Sequence, residues 1–502
     1  MKRLSCIASA VLPLSLSLPF APLASAHCDR IPAGKSFWVR LIDPVASYGS
    51  KPGDPVRAIL IQSPECGTTP VFPIGIEVDG HVASVRKVGL GLIHDTAKLE
   101  LRFDRLVGPS GSLPIASEVA EIDNARETVR RGVIRGVRST DTPQGRITSR
   151  LIHLPTLNPY GDIGLIVYRA FSFLPEPEIY LPSGTDLRLL LSVPLYVGDQ
   201  PELPVPSFEL DEFERADIES LLDQVPGRTT TPSGQMADLV NILLIGSKGQ
   251  VASAFAAAGW VPADRNSYRA FLKGFTAFLT LSNYPTMPVS RQLLGGQAPD
   301  FAWQKSLNSY GKREHLRVWG ARSVLGQQAW LSAYTRETGA VLSIRYHKFI
   351  HHVDPNLDKG VNMLVRDLAL SGCVESVYLF PRPDLPQLLA NSTGDAMRTD
   401  GVLTVVHLRD CNRTAVHYEV NAIPIHPHSK LVRYFRDRVL LYRSDVTRGN
   451  AIYGAFDLCR MSIRYFRHPN GRPLEDDNLP FSPVSPETVL PQISFNRLNV
   501  AP

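Results

Sequence analysis

Two stretches of the chain carry residue types at spacings that could do chemistry. In Arg313-Glu314-His315-Leu316-Arg317-Val318-Trp319 polar and apolar residues alternate. As a strand, this run places Arg313, His315, Arg317 and Trp319 on one face and Leu316 and Val318 on the other. Two guanidinium forks beside an imidazole suit an anionic ligand held by bidentate hydrogen bonds. The same face suits an ion-pair ladder with Asp300 or Glu337, and the spacing leaves both readings open. The second stretch is His351-His352-Val353-Asp354-Pro355-Asn356-Leu357-Asp358. Imidazoles and carboxylates this close in sequence are the donor set of hydrolytic zinc or magnesium sites. His351, Asp354 and Asp358 are therefore candidate metal ligands, and with His315 they are candidate acid–base residues. The run matches neither H-E-x-x-H nor a paired-cysteine pattern. It also reads as a helix start, with Pro355 at the first helical position and Asp358 in the first turn.

Other nucleophiles are poorly supported. No G-x-S-x-G elbow surrounds Ser247, Ser290 or Ser332, and no cysteine has an evident partner base. His417, His426 and His428 lie among prolines in a loop. Gly246-Ser247-Lys248-Gly249, between a strand and a helix, lacks the hydroxyl residue of a P-loop after its lysine, so Ser247 reads as a helix cap.

These groups need a frame, and the sequence predicts a multidomain one: an N-terminal all-β, barrel-like domain followed by an α+β domain with a mixed sheet and helices. The 502 residues imply more than one core. The 41 prolines, about 8% against a usual ~5%, favour short strands and fixed turns. From His27 to about residue 200, runs such as Phe37–Leu41, Val56–Ile61, Leu99–Phe103 and Leu187–Leu191 suit strands. A Pro-x-Gly phrase leads into the strands at both ends of this region: Ile31-Pro32-Ala33-Gly34 and Leu181-Pro182-Ser183-Gly184. Strands introduced by the same turn at both ends predict a barrel whose first and last strands meet. Residues 201–237 read as a proline-rich linker and an acidic helix, with Leu210, Phe213, Ile218, Leu221 and Leu222 on its apolar side. The α+β domain spans 238–415, opening on the apolar strand Leu239–Ile245. A basic helix from Ser429 to Arg443 and an extended tail complete 416–502.

The N-terminus has the layout of a cleaved signal peptide over residues 1–26: Lys2 and Arg3, an apolar stretch Val11–Leu23, then Ala24-Ser25-Ala26 before His27. The apolar run is shorter than the ~20 residues of a spanning helix, so the mature protein is expected in the periplasm or outside the cell. The formal charge of +5 is small for this length and excludes a nucleic-acid-sized field. In an oxidising compartment the mature cysteines predict two bridges, Cys28–Cys66 and Cys373–Cys411, each inside one domain, and an idle thiol at Cys459. Seven arginines between Glu121 and Arg150 form a basic segment, either a solvated face or a contact for an anionic polymer or lipid surface.

A family resemblance begins near Asp238. Asp238-Leu239-Val240-Asn241 with Ile245-Gly246-Ser247, Ala257-Ala258-Gly259-Trp260, Tyr284-Pro285-Thr286-Met287-Pro288-Val289-Ser290, Asp300-Phe301-Ala302-Trp303-Gln304-Lys305, Arg313–Trp319, His351–Asp358 and Thr399-Asp400-Gly401 together resemble the LssY C-terminal domain, over about Asp238 to Leu403. The resemblance implies a bacterial protein with a possible link to secretion, and it transfers no activity. Family members commonly carry the domain behind membrane modules; here a signal peptide and a β-domain stand in that place. The resulting expectation is an exported, non-catalytic envelope protein without a cofactor, binding an anionic ligand or an envelope partner through Arg313, His315, Arg317 and Trp319. One alternative is a hydrolase of phosphoester or lipid substrates that uses a divalent metal. Another is a peripheral membrane protein held by the Ser429–Arg443 helix.

Overall fold

The computed structural model describes residues 29–66, 69–108, 111–123, 126–138, 141–143, 174–197, 210–343, 348–411 and 428–448. Six strands close into an N-terminal barrel: β1 (Ser36–Leu41), β2 (Pro55–Gln62), β3 (Glu77–Arg86), β4 (Lys98–Gly108), β5 (Gly111–Ile122) and β6 (Asp186–Leu191). Their order is β4-β3-β2-β1-β6-β5, every pair antiparallel, and β5 returns to β4 to complete the cylinder. The meeting of first and last strands predicted from the repeated turns is present, with Val39 opposite Leu187 and Phe37 opposite Leu189. Gly34 and Gly184 hold φ of 83° and 85° in the two lead-in turns, a region open to glycine at little cost. Alternation then sorts the side chains. Leu99, Leu101 and Phe103 enter the core, while Glu100 and Arg102 hydrogen-bond to each other at 2.7 Å on the outside.

The second domain is built on a mixed sheet of β7 (Ile242–Ile245), β8 (Val261–Pro262), β9 (Phe301–Ser306), β10 (Arg313–Val324), β11 (Gln327–Ser343), β12 (Lys348–Val353), β13 (Val374–Pro381) and β14 (Val402–Leu408). The order is β8-β9-β10-β11-β7-β14-β13, with β12 also pairing β11, and the β7–β14 ladder is parallel. Among the described residues four helices accompany it, α1 (Glu212–Leu222), α2 (Lys248–Ala257), α3 (Tyr268–Thr280) and α4 (Leu357–Leu370), and a fifth, α5 (Lys430–Arg448), lies on the barrel. Val251, Phe255, Leu364 and Leu368 of α2 and α4 pack with Leu316, Val318 and Tyr334 on one face of the sheet. Ile218, Leu221 and Leu222 of α1 pack with Leu243, Trp319 and Leu331 on the other.

Three local expectations change. The apolar run Leu239–Ile245 is two strands, Met236–Leu239 and β7, parted at Asn241. The Asn241 side chain copies a backbone ladder by donating to Tyr334 O (3.0 Å) and accepting from Tyr334 N (2.9 Å), which holds the kink. The helix after His351 is capped by Asn356, whose Oδ1 accepts from Lys359 N at 3.0 Å, so Pro355 lies before the helix and not at its first position. In α1, Ile218, Leu221 and Leu222 are buried but Phe213 faces solvent.

Candidate functional site

The register of the sheet assembles the first candidate stretch. Arg313 pairs with Ser306 and Glu337, His315 with Gln304 and Thr335, and Arg317 with Ala302 and Ala333. Paired residues share a face, so Arg313, His315, Arg317 and Trp319 line up as predicted, and all four are buried, Arg317 with 1% of its surface exposed, His315 with 4% and Arg313 with 5%.

Their donors turn inward. Arg313 grips Glu337 through Nε (2.6 Å) and Nη2 (3.0 Å), and its Nη1 donates to Met287 O, Pro288 O and Gln304 Oε1. Arg317 donates to Asp238 Oδ2 (2.7 Å), to Ser290 O and to Ser290 Oγ. Trp319 Nε1 donates to Gln297 O at 3.0 Å. The Asp238 carboxylate also accepts from Gln292 Nε2 at 2.9 Å. An anion could reach these guanidinium groups only by displacing Glu337 or Asp238. Of the two partners considered for the ladder, Glu337 is on it; Asp300 instead accepts from Gly320 N at 2.7 Å.

His315 and His351 converge on the same carboxylate. His315 Nδ1 lies 3.4 Å from Glu337 Oε1 and His351 Nδ1 lies 2.9 Å from Oε2, ion-pair distances whose directions do not make hydrogen bonds. His315 Nε2 is bonded to Thr335 Oγ1 at 2.8 Å. Burial holds His315 well below the usual imidazole range; Glu337 opposes the shift, and Arg317 and Arg313 add to it. Burial by itself would raise Glu337, but Arg313, His351 and His315 together hold its carboxyl well below the ordinary value.

The rest of the second stretch does not join this cluster. Asp354 Oδ1 accepts from Asn356 N at 3.0 Å in the turn before α4. Asp358 accepts from Thr399 Oγ1 (3.0 Å) and Asp400 N (2.8 Å), and burial together with the neighbouring Asp400 pushes it up to about 6. His352 pairs with Asp395 at 2.9 Å. Among the described residues, no group of three or more His, Cys, Asp or Glu side chains is placed to hold a metal ion. Ser247 caps α2, accepting from Gln250 N while the Gln250 side chain returns a bond to Ser247 N.

The opposite face of the same strands carries a second charge cluster that the sequence reading missed. Lys305, Glu314 and Arg336 stand in register across β9, β10 and β11. From there the charges cross to the barrel. Arg336 pairs with Asp123 at the end of β5, Lys312 Nζ donates to Asp123 O at 3.2 Å, and Lys305 pairs with Asp367 of α4. Asp367 also binds Arg40 of β1 at 2.7 Å, and Arg40 is bidentate to Asp186 of β6 (2.6 and 2.8 Å). Burial pushes Glu314 up to about 7 despite Arg336 and Lys305. Asp123, equally buried, is held at about 2 because Arg336 and Lys312 outweigh the burial. One signal for this cluster was visible in the sequence: Glu314 and Arg336 sit at positions facing the apolar side of their strands.

The C-terminal helix docks on the barrel. Leu440 of α5 lies in the barrel core cluster, Arg436 is buried against Glu176 at 2.7 Å, and Arg443 reaches Gly91 O and Leu92 O. The Cys373–Cys411 bridge is present, its Cα atoms 4.0 Å apart, fastening the start of β13 to the end of β14. Cys28 and Cys459 lie outside the described residues, as do the leader, Arg146, Arg150, His417, His426 and the tail, so the Cys28–Cys66 bridge and the idle thiol fall there too. Within the basic segment, Arg126 is turned to Glu127 and to Glu176 O. Among the described residues no helix is long and apolar enough to cross a membrane.

Fold and cluster together define a class: a closed six-stranded barrel joined to a mixed-sheet domain whose charged residues face inward. Residues 222–403 match the family model described as LssY C-terminus. The match begins earlier than Asp238, taking in the end of α1 and the hairpin Arg228–Thr230 with Met236–Leu239. Thr229 of that hairpin bonds Gln292 at 2.6 Å, which in turn holds Asp238, so the hairpin belongs to the cluster. Among solved structures, ComB10 of the Com type IV secretion system of Helicobacter pylori is similar at 13% identity and a TM-score of 0.19, over 36% of this chain and 93% of that one. No curated protein matches the chain.

Proposed function

We propose that this protein is an exported bacterial envelope adaptor that works by binding a partner and not by catalysis. The observation that supports it is the inward use of the motif residues. Asp238, Ser290, Gln304, Arg313 and Arg317 come from four separated segments and bond to one another or to Glu337. Such a cluster fixes a fold and presents no open acid–base pair to a substrate. Recognition then falls to outer surfaces, with an envelope component or an anionic ligand as partner. Export rests on the leader-like residues 1–26, with processing before His27.

The decisive assay measures hydrolysis of phosphomonoester, phosphodiester and phospholipid substrates with added Zn²⁺, Mg²⁺ or Mn²⁺. The expected result is no turnover above buffer and no stoichiometric metal in the purified protein. Metal-dependent turnover that His351→Ala abolishes would establish the hydrolase instead. Cell fractionation with N-terminal sequencing checks export, expecting an envelope or extracellular chain that begins at His27; an unprocessed cytoplasmic chain refutes it.

A further inference from the structure

Three cations stand opposite one another on the outside of the barrel. Arg86 at the end of β3 pairs with Lys98 at the start of β4, and Lys98 pairs with Arg135 of the short strand Val133–Arg135. Leu99 and Ile134 beside them enter the core, so the three charged side chains share the outer face. Like charges directly opposite one another destabilise a sheet. Arg86 above all, then desolvation, Arg135 and Arg138, push the Lys98 ammonium below its ordinary value. Among the described residues no carboxylate lies at ion-pair distance from Arg86, Lys98 or Arg135. Glu100, next along the outer face of β4, is held by Arg102 at 2.7 Å and by Ser84 Oγ at 3.1 Å. Arg86 Nη2 donates to Thr96 O at 3.2 Å, but Arg86 Nε and Arg135 Nε are shut off from water without a hydrogen-bond partner. Phosphate oxygens laid along this row would offset the repulsion and take up guanidinium donors.

The loop that joins Arg86 to Lys98 carries the complementary feature. On it Leu90, Leu92 and Ile93 have 54%, 68% and 77% of their surface exposed. That exposure is built in. Glu178 Oε1 accepts from Val88 N (2.8 Å) and Gly89 N (2.9 Å), and Arg443 of α5 donates to Gly91 O and Leu92 O. Gly91 lies so close to α5 that a Cβ there would meet Leu440 at 2.8 Å. Large apolar side chains held outward mark an interaction site. Cations in register at the base of the same loop require a partner with negative charge at its surface and apolar depth behind it. Phosphate headgroups over acyl chains have that layering, and a free anion does not.

We propose that this end of the barrel docks on an anionic lipid surface, Leu90, Leu92 and Ile93 entering the acyl boundary while Arg86, Lys98 and Arg135 hold headgroup phosphates. This names the anionic partner of the adaptor reading, on which it rests. It differs from membrane attachment through α5, whose Arg436 and Leu440 are already engaged with the barrel.

Co-sedimentation of the full chain with vesicles of phosphatidylglycerol and phosphatidylcholine tests it, with lipid breakdown measured in the same samples. The wild type should pellet with these vesicles and far less with phosphatidylcholine alone. A weaker, apolar part of the binding should persist near 1 M salt, where charges act over only about 3 Å. Lys98→Gln with Arg135→Gln should weaken low-salt binding roughly thirtyfold, from the contribution of two basic residues at a charged surface. The thermal midpoint of that variant should hold or rise, because two like charges are gone from the sheet. Leu92→Ser with Ile93→Ser should remove the binding that persists in high salt, and Leu431→Ser with Phe435→Ser on α5 should leave binding intact. Failure of the wild type to pellet, as expected if the loop seats a protein, overturns the proposal. So does calorimetric binding of inorganic phosphate without binding of vesicles, or vesicle binding that survives both barrel variants or is lost through the α5 variant. Vesicle binding with lipid breakdown supports the lipid surface and refutes the adaptor reading, whereas neither binding nor breakdown refutes the lipid surface alone.

Discussion

Glu337 is the residue on which the buried face depends, because it meets Arg313, His315 and His351 at once. Swapping a buried ion pair for apolar groups can be neutral, but removing one partner strands a charge away from water. Glu337→Gln should therefore cost about 3–5 kcal/mol in chemical denaturation at pH 7. Conversely, the depressed carboxyl contributes in full above its unfolded pKa of about 4.3 and loses its contribution only as pH falls through the lower folded value. Asp123 and Glu314 pull in opposite directions with pH. Asp123, held at about 2, adds stability above pH 4 that disappears between about 4 and 2. Asp123→Asn should then flatten the acid limb of the stability curve by about 2 kcal/mol over that range. Glu314, raised to about 7, is most favourable when protonated, so its contribution is complete below about pH 4.3 and declines as pH rises toward 7. Glu314→Gln should gain thermal stability relative to wild type at pH 8 and show no gain at pH 4.5; an equal shift at both values would contradict the buried acid.

At the scale of elements, a covalent clasp and a docked helix both hold the frame. The Cys373–Cys411 bridge closes a segment with a sequence separation of 38, for which loop-closure entropy gives about 4 kcal/mol. Cys411→Ser should lower denaturation stability by up to that amount and reduce the loss of stability that reductant causes. Leu440 supplies the apolar anchor of α5 in the barrel core. Leu440→Ala should cost about 3–5 kcal/mol of docking, read as faster amide hydrogen exchange across α5 with the barrel strands unchanged. If barrel exchange rises equally, the helix is part of the barrel's folding unit.

Across the whole molecule, the chain Arg336–Asp123, Lys305–Asp367, Arg40–Asp367 and Arg40–Asp186 joins the barrel to the mixed-sheet domain through buried charges. Apolar contacts tolerate sliding, but paired charges in a dry interface do not, since any offset leaves an uncompensated charge. The two domains should unfold together in calorimetry as one transition. Arg336→Met with Arg40→Met should split that transition into two, while Arg313→Met, confined to the second domain, should lower the midpoint without splitting it. Two transitions in the wild type would show that the interface does not couple the domains.

Much of the architecture was legible in the sequence because it is local. Alternation in Leu99–Phe103 and Arg313–Trp319 fixed which residues share a face, since a strand turns its side chains with a period of two. The glycines of Pro32-Ala33-Gly34 and Pro182-Ser183-Gly184 marked turns that only a positive φ completes, and their repetition foretold the closure of β1 on β6. Helix limits shifted by a residue or two where a side chain decided them, as Asn356 did in place of Pro355 and as Asn241 did by interrupting a strand. What each charged residue does was not legible. A strand face bearing Arg313, His315 and Arg317 reads alike whether it waits for an anion or already holds Glu337 and Asp238. Only the register of β10 on β11 and the return of the chain at Asp238 decide between them. The orientation of α3 was likewise undecided, because an amphipathic pattern states that a helix has two faces and not which one is covered. Tertiary packing decided it by burying the small residues Ala270, Gly274 and Ala277.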